Sequence, residues 1–115
     1  MSGKSSLENL FRLQLAEAEL PPHLEQFKAI PGRRYSWDFA FYDHRLLIEL
    51  QGGVWMAKGG HNTGGGITRD CDKLILATLA GYYSMAFTME HLKSGKAVES
   101  VKKFIALHPK GDNRI

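Results

Sequence analysis

A chain of 115 residues, 43% of them hydrophobic, is long enough to bury one core and too short for two, so residues 1–115 read as a single domain. The formal charge of +3 admits a polyanionic partner without demanding one. The lone Cys71 excludes an internal disulfide and a CxxC zinc site, no apolar run approaches the roughly 20 residues of a membrane span, and the N-terminus lacks the apolar core of a signal peptide; the expectation is a soluble cytoplasmic protein.

In chain order, Ser5-Ser6-Leu7-Glu8 has the pattern of a capping box ahead of an apolar stripe, Leu7, Leu10, Phe11, Leu15 and Ala18. It predicts a helix to about Leu20, ended by Pro21-Pro22. A short strand is expected around Gln26 to Ala29, closed by the turn signal Pro31-Gly32. Two strands follow, Tyr35 to Phe41 and Leu46 to Gln51, joined by a polar link of hairpin length, Tyr42-Asp43-His44-Arg45. From Gly52 to Gly66 the chain holds seven of its twelve glycines and reads as a long loop, a type that is usually functional or disordered. Ile67 to Ala80 then predicts a helix with Leu74, Ile75, Ala77, Thr78 and Leu79 facing inward and Gly81 as its C-terminal cap. Tyr82 to Thr88 is apolar enough for an interior strand, and Glu90 to about Leu107 reads as one last helix. The order is α-β-β-β-α-β-α, an α/β domain.

A turn centred on Asp43 and His44 sets Asp38 opposite Glu49 and Ser36 opposite Gln51. Trp37, Phe39, Phe41, Leu46, Ile48 and Leu50 then share one apolar face, while the other carries Ser36, Asp38, Ala40, Leu47, Glu49 and Gln51. Opposed carboxylates lie with Cβ atoms about 5 Å apart and repel, so something must compensate. A hard divalent cation would do so, because Mg²⁺ takes carboxylate and water oxygens. Two solvated charges on an exposed sheet face are the plainer alternative.

An acid on one strand followed by an acid, any residue and a polar residue on the next resembles the PD-(D/E)XK nuclease superfamily, of the small phage and bacterial type that includes very-short-patch repair endonuclease-like and Holliday junction resolvase-like proteins. Asp38 matches the first acid, Glu49 the second and Leu50 the variable position, whereas Gln51 stands where that family usually has lysine. Arg33-Arg34 before the first strand, Gly52-Gly53 after the second, His61 in the loop and Arg69-Asp70 at the next helix add to the likeness, which covers about Leu7 to Phe104. The resemblance implies a restriction-endonuclease-like core with a mixed sheet of about four strands flanked by helices. It also implies a Mg²⁺- or Mn²⁺-dependent endonuclease acting on DNA, in a bacterial cell or encoded by a phage.

On that reading Asp38 and Glu49 hold the metal, with the Leu50 carbonyl and, through a water, Glu8 as further ligands. Glu8 is equally accounted for by its place in the capping box. Gln51 hydrogen-bonds but carries no charge, so Lys73, or secondarily Lys58, is the candidate for a migrated lysine; a solvated helix charge is the plain reading of Lys73. His61 could protonate a leaving oxygen or contact phosphate, or simply be an exposed loop histidine. Arg33, Arg34, Lys58 and Arg69 are candidates for backbone phosphate contacts, as is the Gly64-Gly65-Gly66 run at a helix N-terminus. Trp55 either stacks on a base or anchors the loop. The spacing of a nucleoside triphosphate loop is missing, so no nucleotide cofactor is expected. No base-reading module is visible and 115 residues leave little beyond a catalytic core, which favours structure-directed cleavage of branched DNA by a homodimer. A catalytically weakened nucleic-acid-binding module with the same fold, or an assembly subunit, are the other classes considered.

Overall fold

The computed structural model describes residues 3–52 and 64–109. Helix α1 (Gly3–Glu17) is followed by strands β1 (Leu24–Phe27), β2 (Trp37–Phe41) and β3 (Leu46–Leu50), helix α2 (Gly64–Leu79), strand β4 (Tyr83–Phe87) and helices α3 (Met89–Lys93) and α4 (Lys96–Leu107). The four strands form one sheet in the order β1-β2-β3-β4. The first three are antiparallel, and β4 joins β3 in parallel after the α2 crossover. This is the α/β order that the pattern of elements predicts, with the mixed four-stranded sheet flanked by helices that the resemblance implies.

The hairpin follows the expected register: Phe39 pairs with Ile48, Ala40 with Leu47 and Phe41 with Leu46. A 3-10 turn over Tyr42–His44 and a left-handed Arg45 (φ 59°) reverse the chain. The sheet separates two clusters. On one side Phe39, Phe41, Leu46, Ile48 and Leu50 meet Leu7, Phe11 and Leu15 of α1, Leu92 of α3 and Ala97, Val101 and Phe104 of α4. The i, i+4, i+8 spacing of the three α1 residues places them on one face, which is why that helix seats on the sheet. On the other side Ala40 and Leu47 meet Ala29, Trp37 and Ala77 of α2.

Trp37 is therefore not on the Phe39–Phe41 face, where strand alternation puts it. The rung it shares with Phe27 leaves the alternation on both strands, since Phe27 also packs on the α2 side. On β1 the neighbouring Gln26 has a left-handed φ of 51°.

Several elements differ from expectation. Helix α1 begins at Gly3, so Ser5 to Glu8 lie inside it and do not form its N-terminal cap. It ends at Glu17 rather than Leu20 through a Schellman arrangement: Glu19, at φ 55°, donates its N–H to Ala16 O (3.0 Å) and Leu20 donates to Leu15 O (3.4 Å). Strand β1 lies two residues earlier than predicted. Strand β4 is at the sheet edge, not in its interior, because the parallel crossover adds it outside β3. The single C-terminal helix is two. Thr88 caps α3 through a reciprocal exchange with His91, and Gly95, at φ +85°, breaks the chain before α4 in a conformation that costs glycine little.

The largest correction concerns α2. It starts at Gly64 rather than Ile67, and of its predicted inward face only Ala77 is buried; Leu74, Ile75 and Leu79 are 53%, 54% and 79% exposed. Its C-terminal end is tied to the hairpin by Arg45, whose guanidinium donates to Ala80 O at 2.7 Å and to Gly81 O at 3.4 Å while lying 4.1 Å from the Tyr82 ring centre. A cation on those terminal carbonyls suits the helix dipole, and it sets how α2 lies across the sheet. Among the described residues no helix is long and apolar enough to cross a membrane.

Candidate active site

The site lies where β2 and β3 part. Their backbone pairings run only to Phe39–Ile48, and one step further the Leu50 N–H donates to Asp38 Oδ2 at 2.7 Å. The Asp38 side chain thus substitutes for strand backbone as acceptor. Asp38 is 5% exposed, and a buried carboxylate is tolerated only where charged-acceptor hydrogen bonds of this kind meet it. Continuing the register places Glu49 opposite it, with Leu50, the residue that satisfies Asp38, immediately after Glu49.

Lys73, near the middle of α2, reaches this point from above the sheet. Its ammonium bonds Glu49 Oε2, donates to Ser36 O at 2.7 Å and lies 4.8 Å from the Trp37 ring centre. The Lys73 and Glu49 side chains are 20% and 21% exposed, so the pair is only partly screened by water. The compensation that two neighbouring carboxylates require is supplied here by the chain itself: an ammonium on Glu49 and an amide N–H on Asp38. Of the two lysines considered as substitutes for the one missing at Gln51, Lys73 is brought to the carboxylates. Lys58 lies outside the described residues, as do His61 and Trp55.

The remaining candidates sit at several places in the fold. Gln51 follows the end of β3, is exposed, and donates its N–H to Phe87 O at 2.8 Å. Arg33 and Arg34 are exposed just ahead of β2, the first with its guanidinium 5.5 Å from the Tyr35 ring centre. Arg69 is exposed on α2 one turn before Lys73, a spacing that puts both on the same side of the helix. Glu8 accepts from Gln26 Nε2 at 3.3 Å, which ties α1 to β1. Gly64, Gly65 and Gly66 are the first described residues of α2.

Two partners of Lys73 were not legible in the sequence. The Ser36 carbonyl is backbone, on which side-chain chemistry is silent, and Trp37 was assigned to the opposite face by alternation. The Leu50 N–H is a further silent partner, although the sequence does mark the position next to Glu49.

Among the described residues no three His, Cys, Asp or Glu side chains cluster as a ready-made metal cage. Two carboxylates nevertheless match the donor set of Mg²⁺, which keeps several waters and is commonly held by one or two acids. Compared with protein-family models, with curated proteins and with solved structures, the chain gives no match.

Proposed function

We propose that the chain is a Mg²⁺- or Mn²⁺-dependent endonuclease that hydrolyses phosphodiester bonds of DNA, directed by DNA structure, such as a branch or four-way junction, rather than by sequence. The observation that carries this reading is the meeting of Lys73 with Glu49, beside Asp38, at the point where β2 and β3 part. Acid, acid and lysine converge there although the lysine is 24 residues from Glu49 in the chain.

Asp38 and Glu49 would hold the cation, with the Leu50 carbonyl as a further ligand. Bound there, a divalent cation lowers the pKa of water and offsets charge on the transferring phosphoryl group. The chain's own part is to keep the acids fixed: the Leu50 N–H locks one oxygen of Asp38, and Lys73 holds Glu49. Lys73 brings a positive N–H donor to where charge develops, the role left open by Gln51. Arg33, Arg34 and Arg69 are exposed and suited to backbone phosphates. Two cuts across a branched substrate call for two sites, and the exposed apolar residues of α2, Ile67, Leu74, Ile75 and Leu79, are what a second copy would cover.

A second reading, a nucleic-acid-binding module that no longer cuts, is favoured by one observation. Lys73 pairs with Glu49, and such an ion pair can serve the fold alone. Cleavage separates the two. A labelled panel of duplex, single strand, flap and four-way junction is incubated in Mg²⁺, Mn²⁺ or EDTA, with Glu49→Ala alongside. Metal-dependent cuts lost in the variant are expected; binding without cleavage in every metal would leave the module.

A further inference from the structure

We propose that the Lys73 ammonium is a built-in counter-cation that holds Glu49 until a divalent metal takes it, so that metal affinity is set by competition between the two cations. The proposal rests on the reading of Asp38 and Glu49 as metal ligands. It goes further in assigning the chain its own inhibitor of metal binding.

Three contacts define a cage suited to an ammonium. Glu49 Oε2 gives charge, the Ser36 carbonyl accepts at 2.7 Å, and the Trp37 ring, with its centre 4.8 Å away, presents a π-face. Lysine reaches all three because α2 crosses the sheet on the side of Ala40 and Leu47, with Ala77, one turn after Lys73, buried against them. A dication binding Glu49 meets both the loss of that ion pair and repulsion from the ammonium.

The two other contacts give the competition a defined outcome. When Glu49 turns to the metal, the Ser36 carbonyl and the Trp37 ring still hold the ammonium, so it shifts within its cage and is not expelled to solvent. Held there by Ser36 and Trp37, the ammonium would remain near the carboxylates as a positive N–H donor. Metal binding and the Lys73–Glu49 contact are coupled, so the factor by which the contact weakens metal binding is the factor by which metal weakens the contact.

The test is Mn²⁺ binding to the full chain, followed by loss of the free Mn²⁺ paramagnetic resonance signal. Wild type, Lys73→Met, Lys73→Gln and Glu49→Gln are compared, each first checked for folding by circular dichroism. Both lysine variants are expected to bind Mn²⁺ about tenfold more tightly than wild type, within the usual range of coupling between sites; Glu49→Gln loses binding. A second readout is optical. With Trp55→Phe, Trp37 becomes the sole indole, and Mg²⁺ is expected to change its emission when Lys73 is present but not in Lys73→Met. Equal or weaker Mn²⁺ binding in the lysine variants, with Glu49→Gln still defective, overturns the competition and leaves the metal site standing. Absence of Mn²⁺ binding in wild type and lysine variants alike overturns both.

Discussion

Asp38 carries a structural duty separable from any catalytic one, and a pair of substitutions divides them. Its Oδ2 accepts the Leu50 N–H at 2.7 Å where the strand pairing ends, and the residue is 5% exposed. Asp38→Ala removes the acceptor and leaves that N–H buried without it. A hydrogen bond to a charged group contributes about 1.5–3 kcal/mol, and an orphaned buried donor costs a similar amount. Relief of repulsion with Glu49 returns about 0.2–1 kcal/mol. The net loss is then about 2 kcal/mol, roughly 8 °C in Tm for a domain of this size. Asp38→Asn keeps an oxygen that can accept the same N–H and is expected to stay within about 1 kcal/mol of wild type, yet to lose cleavage with Asp38→Ala. Urea unfolding followed by circular dichroism in EDTA measures the first effect free of any metal contribution. An Asp38→Ala variant that unfolds within about 0.5 kcal/mol of wild type, near the error of the method, or an Asp38→Asn variant that falls as far as Asp38→Ala, would refute this structural role.

Three further outcomes are expected. Glu19→Gly should stabilise the chain by about 1 kcal/mol, because the left-handed position that ends α1 suits glycine and strains glutamate; equal urea midpoints would count against that cap. The Arg12 guanidinium, bonded to both Glu25 oxygens at 2.7 and 2.8 Å, holds the Glu25 carboxyl down from its ordinary 4.5 to about 2. A lowered folded-state value means the contribution is present above about 4.5 and is lost as pH falls through about 2. With side-chain exposures of 44% and 33%, the pair is screened to about 1 kcal/mol or less, so the stability gap between wild type and Arg12→Gln should be of that size at neutral pH and close toward pH 2. Leu79→Asp, at a site 79% exposed, should leave monomer stability within about 0.5 kcal/mol but weaken self-association in sedimentation velocity; an unchanged sedimentation profile in a dimeric wild type would move the contact off α2.

The hairpin shows how far local pattern reaches. A polar link of fixed length and alternation of period two suffice to set the pairing of Phe39 with Ile48 and Phe41 with Leu46, because register and side-chain face are both short-range properties. The same holds for α1, whose stripe of Leu7, Phe11 and Leu15 marks the buried face before any partner is known. Order and type of the elements follow from such signals. The candidate acids were legible for the same reason, as polar residues at positions where a strand is otherwise apolar.

What tertiary structure alone decided is which surface meets which. The apolar residues of α2 announce a stripe, but a stripe does not say whether its own chain covers it, and here the helix seats on Ala77 while Leu74, Ile75 and Leu79 face outward. The edge position of β4 depends on the path of the crossover, and the place of Trp37 on its packing with Ala29, Ala40, Leu47 and Ala77. Lys73 reaches Glu49 because Arg45 pins the far end of α2 and Ala77 sets its approach, contacts between residues distant in sequence. Periodicity records the environment each segment needs; only packing selects the segment that provides it.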